Sequence, residues 1–208
     1  MSPIPISEPV PQTLAHALAA LQTANLERLD AQLLLLHVLG QSPTQRGWLL
    51  AHDTDLLPPA PAAALAALVQ RRLQGEPLAY LTGHKEFFGL DLQVDARVLV
   101  PRPDTETLVH WALEVLATHA SAMTANAVAN VREATQSVLD LGTGSGAIAL
   151  ALKKSRPALD VTAVDASPDA LAVARHNAGQ HQLPIQFIHS HWLEDVSGHF
   201  HIIASNPP

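Results

Sequence analysis

The chain has 208 residues, of which 48% are hydrophobic and 15% are charged, and its formal net charge is −7. This apolar content suffices for a packed core and argues against wholesale disorder. Because cysteine is absent, disulfide scaffolds, zinc–thiolate sites, iron–sulfur clusters and cysteine nucleophiles are excluded. The acidic balance argues against a protein that holds nucleic acid on a broad basic surface.

The first eleven residues contain four prolines and predict a flexible lead-in. They lack the positive charge and the long apolar run of a signal peptide. The longest purely aliphatic run, Leu33 to Leu36, is far shorter than the roughly 20 residues that a membrane-spanning helix needs. We therefore expect a cytoplasmic protein.

Residues 1–84 predict a small helical-bundle domain. Leucines recur at helical spacing through its first half, where Gly40 is a typical helix stop. A short helix is expected around Trp48. A proline start, an Ala/Leu-rich run and Gly75 then predict one more helix.

Apolar and polar residues alternate over residues 87–101, which is typical of a half-buried strand pair. We predict a β-hairpin connector at residues 85–103. A helical pattern follows over residues 105–118. The small, polar residues 119–136 predict a surface linker, with a helical stretch as the alternative.

From Ser137 onward, short apolar runs alternate with helical segments. Ser167 is a candidate N-cap, with Pro168 and Asp169 favourable in the first turn. Strands separated by helices imply a parallel sheet, so we predict an α/β domain at residues 104–208 with its binding groups at the carboxyl ends of the strands. The strands are predicted at Val138–Leu141, Val161–Asp165, Ile185–Ser190 and His201–Ser205.

A glycine-rich loop joins the first of these strands to its helix. Its glycines permit a tight turn and let a ligand approach the backbone. Ala147 stands where the fingerprint of dinucleotide-binding loops has its last small residue, so a dinucleotide ligand is not excluded. Asp140, which leads into the loop, favours an amine-bearing ligand over a pyrophosphate. S-adenosylmethionine carries such an amine and no phosphate, and a turn that merely connects strand and helix is the alternative. The candidate cofactor residues of the loop are Gly142, Thr143, Gly144, Ser145 and Gly146.

Asp165 ends the second strand, 21 residues after Gly144. An acid at about this distance can accept hydrogen bonds from the ribose hydroxyls of an adenosine cofactor. Helix capping or a solvated position is the alternative. In combination with the glycine loop, ribose binding is the favoured interpretation.

The fourth strand is followed by Asn206, Pro207 and Pro208. Two prolines prevent the strand from continuing, so the turn holds the Asn206 amide and the Pro207 carbonyl rigidly. Both groups can accept hydrogen bonds from a substrate NH2 and orient its planar nitrogen toward a sulfonium methyl group. Such catalysis relies on proximity and electrostatics rather than on a strong base, and an ordinary proline-rich turn is the alternative.

With the PRPDTE run at residues 101–106, these motifs resemble the release-factor glutamine methyltransferases, the PrmC/HemK family of class I methyltransferases. The resemblance covers nearly the whole chain and implies a Rossmann-like methyltransferase domain behind a helical domain that recognises the release factor. Its most specific segments are Gly75 to Val109, Leu139 to Leu152, Ala163 to Ala178 and Ser205 to Pro208.

By position in the family, the resemblance implies that S-adenosylmethionine contacts the glycine loop, Asp165, Trp192 and Asn206. It implies that Asn206, Pro207 and Pro208 bind the target glutamine of a Gly-Gly-Gln loop, with Asn206 and Pro207 as the catalytic groups. Peptide-chain release factors are then the expected partners, and no direct nucleic-acid or membrane partner is expected.

Two departures from the family are visible. The linker at residues 119–136 is longer than the family usually needs, which predicts a tolerated surface insertion. The family's motif also ends in a tyrosine that is missing here, and three more strands are expected in a complete sheet. We therefore expect a C-terminally truncated chain, with activity belonging to the intact protein.

Two other functions stay open at this point. A nucleic-acid amino-methyltransferase shares the Asn-Pro-Pro logic, because exocyclic amines present the same two N–H bonds, but the net charge of −7 argues against it. A catalytically silent fragment that binds S-adenosylmethionine is the other.

Several further polar and aromatic residues receive structural interpretations. Trp192 can stack on an adenine or be an ordinary half-buried tryptophan. Arg102, Asp104 and Glu106 are interpreted as a cap with a salt bridge at a helix start. No metal site is expected, because the alternation of residues along strand ends accounts more simply for the spacing of the four histidines at 189, 191, 199 and 201.

Overall fold

The computed structural model describes residues 12–126 and 135–207. The proline-rich lead-in, residues 127–134 of the expected linker and Pro208 lie outside the described residues. The chain divides into two compact units, Met1–Thr82 and Gly83–Pro208.

The first unit is a bundle of helices packed around leucines. The predicted helix stops are found, since Gly40 has φ +66° and Gly75 has φ +95°, the left-handed conformation that ends helices. The very short α5 follows Pro77 and was not predicted, because five residues carry no measurable helical period. The helices are α1 Leu14–Thr23, α2 Arg28–Val38, α3 Arg46–Ala51, α4 Pro59–Leu73 and α5 Leu78–Thr82.

The second unit begins with an antiparallel hairpin, β1 His84–Phe87 and β2 Leu90–Gln93. The strands are shorter and lie earlier in the chain than predicted. The turn consists of Phe88 at φ +51° and Gly89 at φ +70°, and two positive φ values are typical of a tight hairpin turn. A phenylalanine is not the residue that usually marks such a turn, which is why the sequence pattern did not locate the turn.

The helix that follows is longer than predicted. Helix α6 spans Thr105–Asn126, so residues 119–126 of the expected linker are helical. This stretch contains neither glycine nor proline, and its alanines and methionine favour a helix. For these residues the alternative interpretation is confirmed and the surface-linker prediction is wrong.

Strands and helices then alternate as predicted up to β5, which β6 follows without a helix between them, and the α/β fold with a parallel sheet is confirmed. Strand β3 pairs with β4 and β6, and β4 pairs with β5, all in parallel. The sheet order is therefore β5-β4-β3-β6. The elements are β3 Ser137–Leu141, α7 Ala147–Ser155, β4 Asp160–Asp165, α8 Pro168–Gln180, β5 Gln186–His189 and β6 Ile202–Ser205.

The core of this unit lies where the sheet meets its helices. Residues 147–153 of α7 are all buried, and β3 is buried along most of its length, as central parallel strands are. Ser167 caps α8 as predicted, because its side chain accepts a hydrogen bond from the Ala170 N–H at 3.2 Å. Within the described residues, none of the helices combines the length and the apolar character needed to cross a bilayer.

Gly146 brings α7 and α8 close together. It is the N-cap of α7 with φ +85°. A Cβ atom at this position would lie 3.1 Å from Leu150 Cδ1 and 3.2 Å from Ala174 Cβ. Gly142 has φ +75° but no heavy atom within 4 Å of its Cβ position. Both glycines therefore need a positive φ, but only Gly146 lacks space for a side chain.

We expect Gly146→Ala to lower the free energy of unfolding by about 2–4 kcal/mol, because the methyl group adds a packing clash to the cost of positive φ. Gly142→Ala is the matched control and should cost only about 1–2 kcal/mol. Urea denaturation of both variants measures the difference. Equal losses would show that the contact between α7 and α8 does not select glycine at position 146.

Candidate functional site

A cavity of about 350 Å³ lies at the carboxyl ends of the parallel strands, where open α/β sheets bind their ligands. Residues from separate parts of the second unit line it. The lining is largely apolar, with a few polar groups placed among aliphatic side chains. Of the residues predicted from sequence, it includes Gly142, Gly144, Asp165, Trp192, Asn206 and Pro207.

The glycine loop folds back onto the end of β4. The N–H groups of Gly142 and Thr143 both donate to the Val164 carbonyl at 2.9 Å. Gly142 and Gly144 have positive φ, and neither has a heavy atom within 4 Å of the position that a Cβ would take. The backbone at these two glycines is therefore open to a ligand in the cavity.

Asp165 connects the loop to the start of α8. Its Oδ2 accepts a hydrogen bond from the Gly144 N–H at 2.8 Å, and its Oδ1 accepts one from the Ser167 N–H at 2.9 Å. The carboxylate is half-buried and lines the cavity. Each carboxylate oxygen has a further lone pair, so Asp165 can hold the loop and still accept hydrogen bonds from a ligand.

Asp140 has a different position from the ligand contact that the sequence predicts. The residue is fully buried and is not among the residues lining the cavity. Its Oδ2 accepts hydrogen bonds from Thr143 Oγ1 at 2.6 Å and from the Ala149 N–H at 3.1 Å. Its Oδ1 has no hydrogen-bond partner among the described residues. The side chain therefore fixes the turn between β3 and α7.

Burial raises the pKa of the Asp140 carboxyl to about 6. The hydrogen bonds from Thr143 and Ala149 lower the pKa, and the negative charge of Asp165 raises it further, but the loss of hydration is the largest effect. A carboxyl with this pKa changes its charge close to neutral pH.

The other three loop residues make contacts inside the protein and do not line the cavity. Thr143 and Ser145 are buried, Thr143 holds Asp140, and Gly146 packs against α8. None of these three is among the cavity's lining residues. The structure thus brings two of the five predicted loop residues to the cavity, and a cofactor contact by the other three stays a prediction.

Asn177 holds the loop from behind, and sequence reasoning missed it. It lies fully buried on α8. Its Oδ1 accepts a hydrogen bond from the Gln93 N–H at 2.8 Å. Its Nδ2 donates to the carbonyls of Gln93 at 3.0 Å and Ser145 at 2.9 Å. The sequence feature that could have indicated this role is the position of the Asn177 amide side chain between Ala174 and Ala178, on the apolar face of a predicted helix.

Trp192 follows β5 and presents an aromatic surface at the cavity. It has φ +55°, and 57% of the residue is exposed. An exposed tryptophan of this size is available to stack on a planar group. The positive φ of a bulky residue is uncommon and costs energy, so the turn holds the Trp192 backbone in a conformation that it would not favour by itself.

Arg97 lines the first cavity and is a second residue that sequence reasoning missed. Its Nε and Nη2 donate to the Asp95 carboxylate at 2.9 and 2.6 Å. Hydrogen bonding to Arg97 lowers the pKa of Asp95, so the two charges neutralise each other. Nothing in the sequence pattern of this turn distinguishes it from an ordinary surface turn.

A second cavity, of about 500 Å³, adjoins the first. The two share Leu99, Asn206 and Pro207 as lining residues. The second cavity is also lined by the first turn of α6, including Thr105. The strand end that carries Asn206 and Pro207 therefore lies at the border between the two cavities.

The PRPDTE segment forms the start of α6. Arg102 Nη2 lies 3.5 Å from Asp104 Oδ2, with 70% and 86% of these side chains exposed, and such ion pairs contribute little to stability. Glu106 Oε1 accepts a hydrogen bond from the Phe88 N–H at 3.0 Å. Glu106 therefore joins α6 to the hairpin, while Arg102 and Asp104 line the second cavity.

The strand-end histidines make separate contacts. His189 Nε2 lies 3.0 Å from the Ala166 carbonyl oxygen, and His201 Nδ1 lies 3.0 Å from Ser137 Oγ. His191 lies 3.4 Å from Glu194. In the part of the chain that the structure describes, no group of three or more His, Asp or Glu side chains could hold a metal ion.

The Asp140 carboxyl gives a pH prediction. Because its folded pKa of about 6 exceeds the ordinary value near 3.9, the folded state binds more protons between pH 4 and 6. The stability that this carboxyl contributes is complete below about pH 4 and is lost as the pH rises to about 6, a loss of about 3 kcal/mol.

Asp140→Asn should remove this pH dependence, because the amide carries no charge at any of these pH values. Urea denaturation at intervals from pH 4.5 to 7.5 measures it. Asp160→Asn removes an exposed carboxylate at the start of β4 and controls for the change in net charge. An unchanged slope in Asp140→Asn would contradict the prediction.

Two family profiles match the chain. The profile described as "PrmC N-terminal domain" matches residues 12–83, and the profile described as "Methyltransferase small domain" matches residues 118–208. The first match coincides with the helical unit, and the second includes both the glycine loop and Asn206.

Curated proteins named "Release factor glutamine methyltransferase" are similar over almost the whole chain. The protein from Haemophilus influenzae is 40% identical over 94% of this chain and 66% of its own length. The protein from Bordetella pertussis is 45% identical over 88% and 62%, and the protein from Burkholderia pseudomallei is 41% identical over 97% and 67%. The chain thus spans about two thirds of the length of these relatives. By this similarity, the chain belongs to the release factor glutamine methyltransferase family.

Proposed function

We propose that this chain binds S-adenosylmethionine in the first cavity. We propose further that the protein to which it belongs methylates the glutamine side-chain amide in the Gly-Gly-Gln loop of peptide-chain release factors. The observation that carries the proposal is the meeting of two cavities at Asn206 and Pro207. A group-transfer enzyme needs such a border, because donor and acceptor must occupy separate spaces that touch at the reacting atoms.

The first cavity suits a nucleoside cofactor that carries no phosphate. Gly142 and Gly144 leave the backbone open, Asp165 offers carboxylate oxygens for ribose hydroxyls, and Trp192 offers a stacking surface. Among the described residues that line the cavity, Arg97 carries the one guanidinium, and it is already paired with Asp95. In this part of the chain the cavity therefore has acceptors and an aromatic surface but no unpaired arginine for a pyrophosphate.

S-adenosylmethionine, when bound, supplies a methyl group on a positively charged sulfonium. The chain's own contribution at the border is to hold the acceptor. The Asn206 amide oxygen and the Pro207 carbonyl can each accept one N–H of a primary amide. With both N–H bonds held, the nitrogen is oriented toward the first cavity, and orientation rather than base strength supplies the rate enhancement.

The substrate proposal is supported by the names of the relatives, each a release factor glutamine methyltransferase. The helical unit, which matches the "PrmC N-terminal domain" profile, is the part that we propose for recognising the release factor. The cytoplasm, where release factors work, is the proposed location. Pro208, which we also assign to the acceptor site, lies outside the described residues.

Calorimetric titration with S-adenosylmethionine tests the cofactor site. Trp192→Ala should weaken binding about tenfold, because removal of a stacking platform costs about 1.4 kcal/mol. Trp111→Ala is the matched control, since Trp111 is 64% exposed on α6 and is not among the lining residues of the first cavity. Equal affinities of the two variants would remove Trp192 from the site, and no binding by the unsubstituted chain would overturn the cofactor proposal.

Transfer of a labelled methyl group tests the reaction, using the protein extended along its own reading frame. Label should enter a release factor at the glutamine of its Gly-Gly-Gln loop and should not enter a release factor with that glutamine replaced by alanine. Asn206→Ala should reduce transfer by about 10²–10³-fold, as removal of an oriented active-site hydrogen bond does. Label entering DNA or RNA instead would favour a nucleic-acid amino-methyltransferase. Cofactor binding without any transfer would favour a silent binding module.

A further inference from the structure

We propose that Thr105 is a positioning residue that holds the Asn206 side chain in the orientation needed for methyl transfer. This inference rests on the proposed function and deepens it. Neither motif reasoning nor the names of the relatives assigns a role to Thr105.

The contact joins two segments that are far apart in sequence. Asn206 Nδ2 donates a hydrogen bond to Thr105 Oγ1 at 2.8 Å, across 101 residues. Both residues line the second cavity. Asn206 is exposed at the end of β6, where an untethered amide samples several rotamers. The Thr105 hydroxyl, which lies on the side of the second cavity, limits the number of rotamers open to the Asn206 amide.

The chemistry of the amide explains why this contact matters. A side-chain amide has one acceptor oxygen and one NH2 donor, and a rotation by 180° exchanges them. The NH2 group of the substrate amide, which receives the methyl group, must donate its hydrogen bond to the Asn206 oxygen, because two NH2 groups that face each other cannot form a hydrogen bond. When Nδ2 donates to Thr105, Oδ1 is the atom left for the substrate. The substrate N–H, Asn206 and Thr105 then form one continuous chain of hydrogen bonds.

Each end of the contact is fixed independently. The Thr105 N–H donates to the Arg102 carbonyl at 3.0 Å, and the neighbouring Glu106 accepts from the Phe88 N–H of the hairpin. At the other end, Ser205 Oγ donates to the Leu141 carbonyl at 2.8 Å. Asn206 and Thr105 are therefore brought together by two anchored elements.

A positioning role predicts a specific kinetic result. Thr105→Val keeps the shape of the side chain and removes the hydroxyl. We expect kcat for methyl transfer to fall about tenfold, the effect of losing one neutral hydrogen bond that orders a reacting group. KM for the release factor and the affinity for S-adenosylmethionine should stay within about twofold, since Asn206 itself is still present.

Two further variants separate this role from general damage to the helix. Thr105→Ser retains the hydroxyl and should restore kcat to within about twofold of the unsubstituted protein. Thr107→Val is the matched control, because Thr107 is exposed in the same helical turn and is not among the lining residues of the second cavity. It should leave kcat unchanged. Thermal denaturation of all three variants verifies that they fold.

Steady-state kinetics of methyl transfer to a release factor, with the protein extended along its own reading frame, decides between the outcomes. A low kcat in Thr105→Val that Thr105→Ser restores supports the proposal. Equal kcat values for Thr105→Val and Thr107→Val, failure of Thr105→Ser to restore kcat, or a change confined to KM would each overturn it. Absence of transfer by the unsubstituted protein would remove the proposed function, and this inference with it. That result differs from an active protein indifferent to Thr105.

Discussion

The glycine loop between β3 and α7 is held in place by two carboxylates and one amide, and the site depends on these contacts. Asp140 receives hydrogen bonds from Thr143 and from the Ala149 N–H at the beginning of α7. Asp165 receives one from the Gly144 N–H, and Asn177 donates one to the Ser145 carbonyl. Gly142 and Gly144 have no side chains that could anchor the loop. These contacts fix the loop from other residues and leave the space beside the two glycines open to a ligand.

The buried charge of Asp140 is an energetic cost at the centre of this arrangement. Taking a carboxylate out of water disfavours its charged form, which is why its pKa is raised to about 6. The two hydrogen bonds that it accepts offset only part of that cost. Stability given up at a functional site is common in enzymes, and here it fixes the turn from which Gly142 and Gly144 face the first cavity.

The order of the parallel strands explains why two cavities meet at Asn206. Strand β3 lies between β4 and β6, so the strand that follows it in the chain lies on one side of it and the last strand lies on the other. The β4 side carries Asp165, and the β6 side carries Asn206 and Pro207. This reversal beside β3 is where doubly wound sheets open a crevice. The start of α6 closes the β6 side, because Asn206 donates a hydrogen bond to Thr105.

The sequence by itself determined the helical unit, the parallel α/β pattern and the candidate residues of the loop and strand ends, because these follow from short-range periodicity, glycine and proline chemistry, and recognisable motifs. It did not determine which loop residues face the cavity, nor that Asp140 is buried rather than exposed to a ligand. It also gave no role to Asn177 or Thr105. Their partners lie 84 and 101 residues away in the chain, and only tertiary packing brings such distant groups within hydrogen-bond distance.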